Sequence, residues 1–78
     1  MQPKSVNDRI IFGLKVKMLR QKRGMSFLEL SKLSGISVSY LNEIEKGKKF
    51  PKPQKIADLA KALAVEEKEL LSMELEIF

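Results

Sequence analysis

Few side chains in this sequence could carry out catalytic chemistry. The 78-residue chain contains no cysteine and no histidine, which excludes disulfides, thiol and imidazole nucleophiles and the usual zinc sites. Among the carboxylates, Glu43 and Glu45 are two residues apart and would point to different sides of a helix. Glu66, Glu67 and Glu69 suit the positively charged start of a helix better than a catalytic or metal site. The sequence therefore predicts a protein that is not an enzyme and has no cofactor or metal.

The charged residues are distributed unevenly along the chain. Residues 66–78 contain five glutamates and one lysine, a net charge of −4, whereas residues 1–65 contain fourteen basic and five acidic side chains, a net charge of +9. A basic body attracts polyanions and displaces their condensed counterions, which makes binding to a nucleic acid steeply salt-dependent. Surface lysine is common in any soluble protein, so charge alone favours a nucleic-acid partner only weakly.

The composition predicts one soluble globular domain. Hydrophobic residues make up 44% and charged residues 32% of the chain, and about 78 residues leave room for a single core. No apolar run approaches the roughly 18 residues that span a bilayer, and residues 1–8 lack the apolar segment of a secretory signal. We expect a cytoplasmic protein whose single domain occupies residues 1–78, with a core at about 9–71 and a tail at 72–78.

Hydrophobic periodicity and capping residues predict an all-α fold of five short helices. Ser26 and Glu29 have the spacing of a capping box, and Gly35 can adopt the positive φ of a sharp turn. The predicted helices are, in order, about 6–23, 26–34, 38–46, 53–63 and a short one from about 66.

The last residues, SMELEIF, have the period of a strand. Met73, Leu75 and Ile77 alternate with acidic residues, which is the spacing of one strand face. Two interpretations remain open at this point. The segment is either a short tail strand or dimer contact, or the start of a further part of a longer protein.

The segment from Phe27 to Lys46 has the spacing of a helix-turn-helix. Leu30, Ile36, Leu41 and Ile44 would form the core that the two helices share. Such a pair holds the second helix away from the body of the domain, so that its first turn can enter a major groove about 12 Å wide.

This segment, GMSFLELSKLSGISVSYLNEIEKGKKFP, resembles the helix-turn-helix of the phage-repressor/Cro-like (XRE) family. The resemblance covers roughly residues 9–71: FGLKVKMLRQKRG matches the first helix, SGIS the turn, IEKGK the end of the recognition helix and IADLAKAL the fourth helix. It implies a five-helix lambda-repressor-like domain that binds double-stranded DNA sequence-specifically as a transcriptional regulator, most simply a repressor. It also implies a homodimer on an inverted repeat with half-sites about 34 Å apart.

The resemblance also assigns individual positions. The positions at which the family presents side chains to base edges are Val38, Ser39, Asn42 and Glu43. The positions at which it contacts the DNA backbone are Ser37, Tyr40, Lys46, Gly47, Lys48, Lys49 and Lys52. Asn42 could bond adenine in a bidentate way and Glu43 could accept from cytosine N4. Arg20 and Glu45 match a structural ion pair that joins the first helix to the end of the recognition helix.

Three positions depart from the family pattern. Phe27 stands where the family usually has a phosphate-binding glutamine, so that contact is missing or replaced by apolar contact with a sugar, unless Phe27 is simply an exposed aromatic. Val38 is apolar where the family is often polar. Ala64 stands where a C-capping glycine is common, at a cost of about 1 kcal/mol.

A protein-interaction module or antitoxin-type protein is the alternative function. On that hypothesis Phe27, Leu28, Val38 and the apolar tail form a surface for a protein partner. Exposed apolar patches of more than a few hundred Å² would favour it, whereas an uninterrupted basic surface around the recognition helix would favour DNA.

Overall fold

The computed structural model describes residues 5–72, which form five α-helices. The helices are α1 (Val6–Lys22), α2 (Phe27–Ser34), α3 (Val38–Glu45), α4 (Pro53–Leu63) and α5 (Glu67–Leu71). No strand occurs between residues 5 and 72, and the predicted all-α, five-helix fold is confirmed. The strand or dimer contact predicted for Met73, Leu75 and Ile77 lies outside the described residues.

Serine hydroxyls begin the first three helices. Ser5, Ser26 and Ser37 each accept a hydrogen bond from the backbone N–H three residues further on, which satisfies one of the otherwise unpaired donors of a helix start. At Ser26 the predicted capping box is complete, because Glu29 Oε1 accepts from the Ser26 N–H at 2.8 Å. The fifth helix starts one residue later than expected, since Glu66 is its N-cap.

Residues with positive φ end the helices on which the site depends. Gly24 and Gly47 have φ values of +65° and +79°, and the residue after each donates back to a carbonyl five positions earlier, Met25 to Arg20 and Lys48 to Glu43. This is the Schellman arrangement. It ends α1 and α3 one residue earlier than expected, because Arg23 and Lys46 are the C-caps.

Ala64 ends α4 in the conformation that normally requires glycine. Its φ is +59°, the one positive value at a non-glycine residue in the part of the chain that the structure describes. The Val65 N–H donates to the Ala60 carbonyl at 2.9 Å, so the Schellman arrangement forms despite the Cβ. A left-handed conformation at such a residue costs roughly 1–2 kcal/mol.

A single hydrophobic core joins all five helices. Its fully buried side chains include Phe12, Val16, Leu30, Leu41, Ile44, Leu59, Leu63 and Leu70. Each large apolar side chain of this kind contributes about 1.5–3 kcal/mol by leaving water. Phe50, in the loop between α3 and α4, packs its ring 4.8 Å from that of Phe12. The core therefore fixes both α3 and the basic loop that follows it.

None of the helices within residues 5–72 combines the length and apolar character that a membrane span requires.

Candidate nucleic-acid interface

One face of α3 carries three of the side chains that the resemblance assigned to base contact and one, Lys46, that it assigned to the DNA backbone. Ser39, Asn42, Glu43 and Lys46 recur at i, i+3, i+4 and i+7, and therefore share one side of the helix. Leu41 and Ile44, fully buried, occupy the opposite side. Ser39 and Lys46 are exposed, whereas Asn42 and Glu43 are half-buried. This outward face combines hydroxyl, amide, carboxylate and ammonium groups, which are the groups that read base edges and phosphates.

The first turn of α3 is held by its own capping contacts. The exposed Ser37 accepts a hydrogen bond from the Tyr40 N–H at 3.1 Å, and Val38 is half-buried. The Asn42 side chain donates one of its two amide hydrogens to the Val38 carbonyl at 3.2 Å. A bidentate bond to adenine needs one N–H and the carbonyl oxygen of the amide. The second N–H and Oδ1 of Asn42 meet that need without breaking the contact to Val38.

The other end of α3 is tied to α1 by an ion pair. Arg20 Nε donates to Glu45 Oε2 at 2.7 Å and Arg20 Nη2 to Glu45 Oε1 at 3.2 Å, while Nη1 donates to the Met25 carbonyl at 2.8 Å. The two side chains are only 11% and 5% exposed. Such a planar, two-bond contact fixes the orientation of both groups. It joins α1, the start of α2 and the end of α3 at one point.

Phe27 takes part in the same junction. Its ring lies 4.1 Å from the Arg20 guanidinium carbon, and the residue is half-buried and packed against the core. Among the alternatives left open for Phe27, a simply exposed aromatic is excluded, because the guanidinium covers one face of the ring. The neighbouring Leu28, in contrast, is 57% exposed.

Two glycines allow α1 and the end of α3 to approach closely, and the sequence did not single out the first of them. A Cβ on Gly13 would collide with the Ile44 carbonyl oxygen and lie 3.0 Å from that of Glu45. A Cβ on Gly47 would lie 2.9 Å from Ile10 Cγ1. Glycine inside a helix is disfavoured by about 1 kcal/mol. That cost is the signal that could have marked Gly13 as a point of close packing.

The amide of Gly47 is used within the fold. The resemblance assigned this residue to the DNA backbone, but its N–H donates to the Ile44 carbonyl at 3.0 Å and the residue is buried. The Gly47 carbonyl accepts from Arg9 Nε at 3.3 Å. Both backbone groups of Gly47 therefore have partners within the fold, and these contacts fix the path of the loop that carries the lysines.

Four lysines lie at the end of α3 and in the loop that follows it. Lys46, Lys48, Lys49 and Lys52 are all exposed. Within residues 5–72 none of the four forms a salt bridge, since the two ion pairs there join Arg20 to Glu45 and Lys68 to Glu66. Tyr40, half-buried, has the ammonium of Lys55 at 5.8 Å from its ring centre. The end of α3 and the following loop thus present positive charge that no described side chain neutralises.

Comparisons with known proteins agree with this geometry. The family model described as a helix-turn-helix domain matches residues 11–73. The chain is 38% identical over 55 residues to the HTH-type transcriptional repressor RghR of Bacillus subtilis, covering 69% of this chain and 41% of that repressor. It is 37% identical over 60 residues to the uncharacterized HTH-type transcriptional regulator YazB of the same organism, covering 77% of this chain and 87% of YazB.

A solved structure gives the same result. The restriction-modification controller protein C.AhdI from Aeromonas hydrophila superimposes with a TM-score of 0.78 at 36% identity, over 81% of this chain and 96% of that one. The chain therefore belongs to the helix-turn-helix domain family, and the resemblance to the phage-repressor/Cro-like (XRE) type is confirmed.

Proposed function

We propose that this domain binds double-stranded DNA sequence-specifically, with α3 in the major groove, and regulates transcription as a repressor. The observation that carries the proposal is the outward face of α3, on which Ser39, Asn42, Glu43 and Lys46 lie together. RghR, which is named a transcriptional repressor, and YazB, named a regulator, are similar to this chain. The chain spans 41% of the length of RghR, and the proposal concerns the matched helix-turn-helix region alone.

The lysines support the backbone contacts of the same proposal. Lys46, Lys48, Lys49 and Lys52 lie at the end of α3 and in the loop after it, where they can reach the phosphates at the edge of the groove. Ser37 and Tyr40 lie at the start of α3 and add uncharged donors. Phosphate contacts of this kind position a protein on DNA, and base contacts choose the site.

We also propose a homodimer on an inverted repeat, because the DNA-reading surface of one domain is small. One domain with about four base-reading side chains binds weakly, and a second copy on the same DNA raises the effective concentration of the first. Two-fold symmetry would place the half-sites about 34 Å apart. We further propose that the domain acts in the cytoplasm, where DNA is accessible, and has no enzymatic activity.

The test is selection of preferred duplexes from a random pool, followed by titration of the selected duplex at two salt concentrations. We expect an inverted repeat whose affinity falls steeply with salt. Asn42→Ala and Glu43→Ala should each relax the preference at one position of each half-site. Binding that varies with salt but selects no sequence would contradict sequence-specific regulation.

A protein-interaction module remains a second candidate, because α1 exposes an apolar row. Val6, Ile10, Leu14 and Met18 recur every four residues and are 59%, 43%, 39% and 48% exposed. Leu28 on α2 is also exposed. Leu14→Gln combined with Met18→Gln, which removes two apolar side chains of the row without adding charge, distinguishes the candidates. The substitutions should leave DNA affinity per monomer intact, whereas a protein partner that binds through this row would be lost.

A further inference from the structure

We infer that a cleft between α1 and α3 seats one phosphate of the DNA backbone, and that Lys17 is a contact which α1 adds to the interface. The inference rests on the proposed DNA binding. Residues from three helices line the cleft, and they are Lys17, Arg20, Phe27, Asn42, Glu45 and Lys46. Neither the family resemblance nor the sequence pattern assigned Lys17 to DNA.

The charges in this α1–α3 cleft favour an anion. Arg20 and Glu45 neutralise each other through their ion pair, and both are nearly buried. Lys17 and Lys46 are exposed, and neither takes part in an ion pair with any residue between 5 and 72. The cleft thus has two solvent-exposed positive charges, Lys17 and Lys46, beside the ion pair of Arg20 and Glu45, which has no net charge. A lysine ammonium is a compact point charge that suits a phosphate oxygen.

The position of the cleft indicates which anion it holds. Asn42 and Lys46 line the cleft and also belong to the outward face of α3. When that face enters a major groove, the groove is bordered by phosphates of both strands. One of these phosphates then lies next to Lys46 and the mouth of the cleft. We therefore favour a DNA phosphodiester over an acidic peptide, because the cleft shares Asn42 and Lys46 with the face proposed to enter the groove.

Phe27 explains why α1 supplies the contact. The family commonly places a phosphate-binding glutamine at this position, whereas the Phe27 side chain has no hydrogen-bond donor and its ring stacks on Arg20 at 4.1 Å. The start of α2 has thus lost one side-chain contact. Lys17 lies one turn before Arg20 on α1 and lines the same cleft as Phe27, so its ammonium can replace the missing donor from the other wall.

Lys17→Gln tests the inference, with Lys61→Gln as the matched control. Both lysines are exposed and helical, both substitutions remove one charge, and Lys61 is on α4, away from the cleft. The affinity of each variant for the selected duplex is measured from about 50 mM to about 200 mM salt. We expect the slope of log affinity against log salt to become shallower by about 0.9 for Lys17→Gln, one phosphate contact, and to stay unchanged for Lys61→Gln.

The outcomes separate this inference from the proposed function. A Lys17→Gln slope equal to that of Lys61→Gln would overturn the phosphate seat while leaving DNA binding intact. A changed base preference in Lys17→Gln, with selection repeated on the variant, would also overturn it, because a phosphate contact weakens all sequences alike. Wild-type protein that binds no duplex would instead overturn the proposed function, before any variant is compared. Thermal unfolding verifies that both variants fold.

Discussion

The α-carbon of Gly13 on α1 faces the backbone carbonyl oxygen of Ile44 on α3 without room for a side chain. This contact brings the two helices together at the C-terminal end of α3. Arg20, about two turns further along α1, pairs with Glu45 of α3 at the same junction. The direction of the proposed recognition helix is therefore set by a backbone contact as well as by an ion pair.

Gly13→Ala should destabilise the domain by forcing α1 away from α3. Its methyl group would collide with the Ile44 carbonyl, and overpacking of this kind costs roughly 1–3 kcal/mol. Gly24→Ala is the comparison, since a Cβ there meets nothing within 4 Å and only the positive φ opposes it. Urea denaturation measures both variants. Equal stability of Gly13→Ala and wild type would show that separating the helices costs no more than the roughly 1 kcal/mol that alanine gains over glycine inside a helix.

Arg20→Ala should be more damaging than loss of a surface charge. It leaves the Glu45 carboxylate, 5% exposed, without its partner, and stranding one member of a largely buried pair costs about 3–5 kcal/mol. The same change removes the hydrogen bond to the Met25 carbonyl and the stack on Phe27. The free energy of unfolding is the measurement. An unchanged melting temperature would mean that this pair does not hold α1 to α3.

Ala64→Gly should stabilise the domain. Ala64 adopts a φ of +59°, and glycine reaches that conformation without a Cβ clash, which is a gain of about 1 kcal/mol. Ala62→Gly, inside α4, is the matched control and should lose about 1 kcal/mol of stability. In thermal or urea unfolding, the free energy of unfolding should therefore rise for Ala64→Gly and fall for Ala62→Gly. Destabilisation by both would show that Ala64 is not strained.

Glu43→Gln should alter which base pair is preferred more than how tightly the duplex is bound. A carboxylate accepts from cytosine N4, whereas an amide also donates, and one good base contact discriminates by about 1–3 kcal/mol. Glu43 is half-buried on the outward face of α3. Repeated selection from a random pool is the measurement. An identical preferred sequence for the variant would place Glu43 outside the base-reading set.

The local elements of this fold were predictable because they depend on near neighbours in the sequence. Ser26 and Glu29, three residues apart, indicated the start of a helix. The structure contains both hydrogen bonds of that capping box. Ile56, Leu59, Ala60 and Leu63 have the i, i+3, i+4 and i+7 spacing of one helix face, and all four are buried. The Arg20–Glu45 pair was expected from the resemblance alone, since 25 residues separate the two partners.

What the sequence did not reveal depends on contacts between distant segments. A glycine inside a helix marks residue 13 as unusual, but the carbonyls of Ile44 and Glu45 that require it belong to another helix. The surroundings of Phe27 stayed open because the group that covers its ring, Arg20, comes from another helix. The Gly47 N–H, which the resemblance assigned to the DNA backbone, donates to the Ile44 carbonyl where α3 ends.

The anchoring of α3 at one end has a consequence for how such a domain could change its target. Gly13, Arg20 and Arg9 all contact the stretch from Ile44 to Gly47. The side chains of Ser39, Asn42 and Glu43 take part in none of these contacts. Exchanging those three side chains leaves every one of these anchors in place. A few substitutions on the outward face of α3 could therefore change the preferred DNA sequence while the packing of α3 against α1 stays the same.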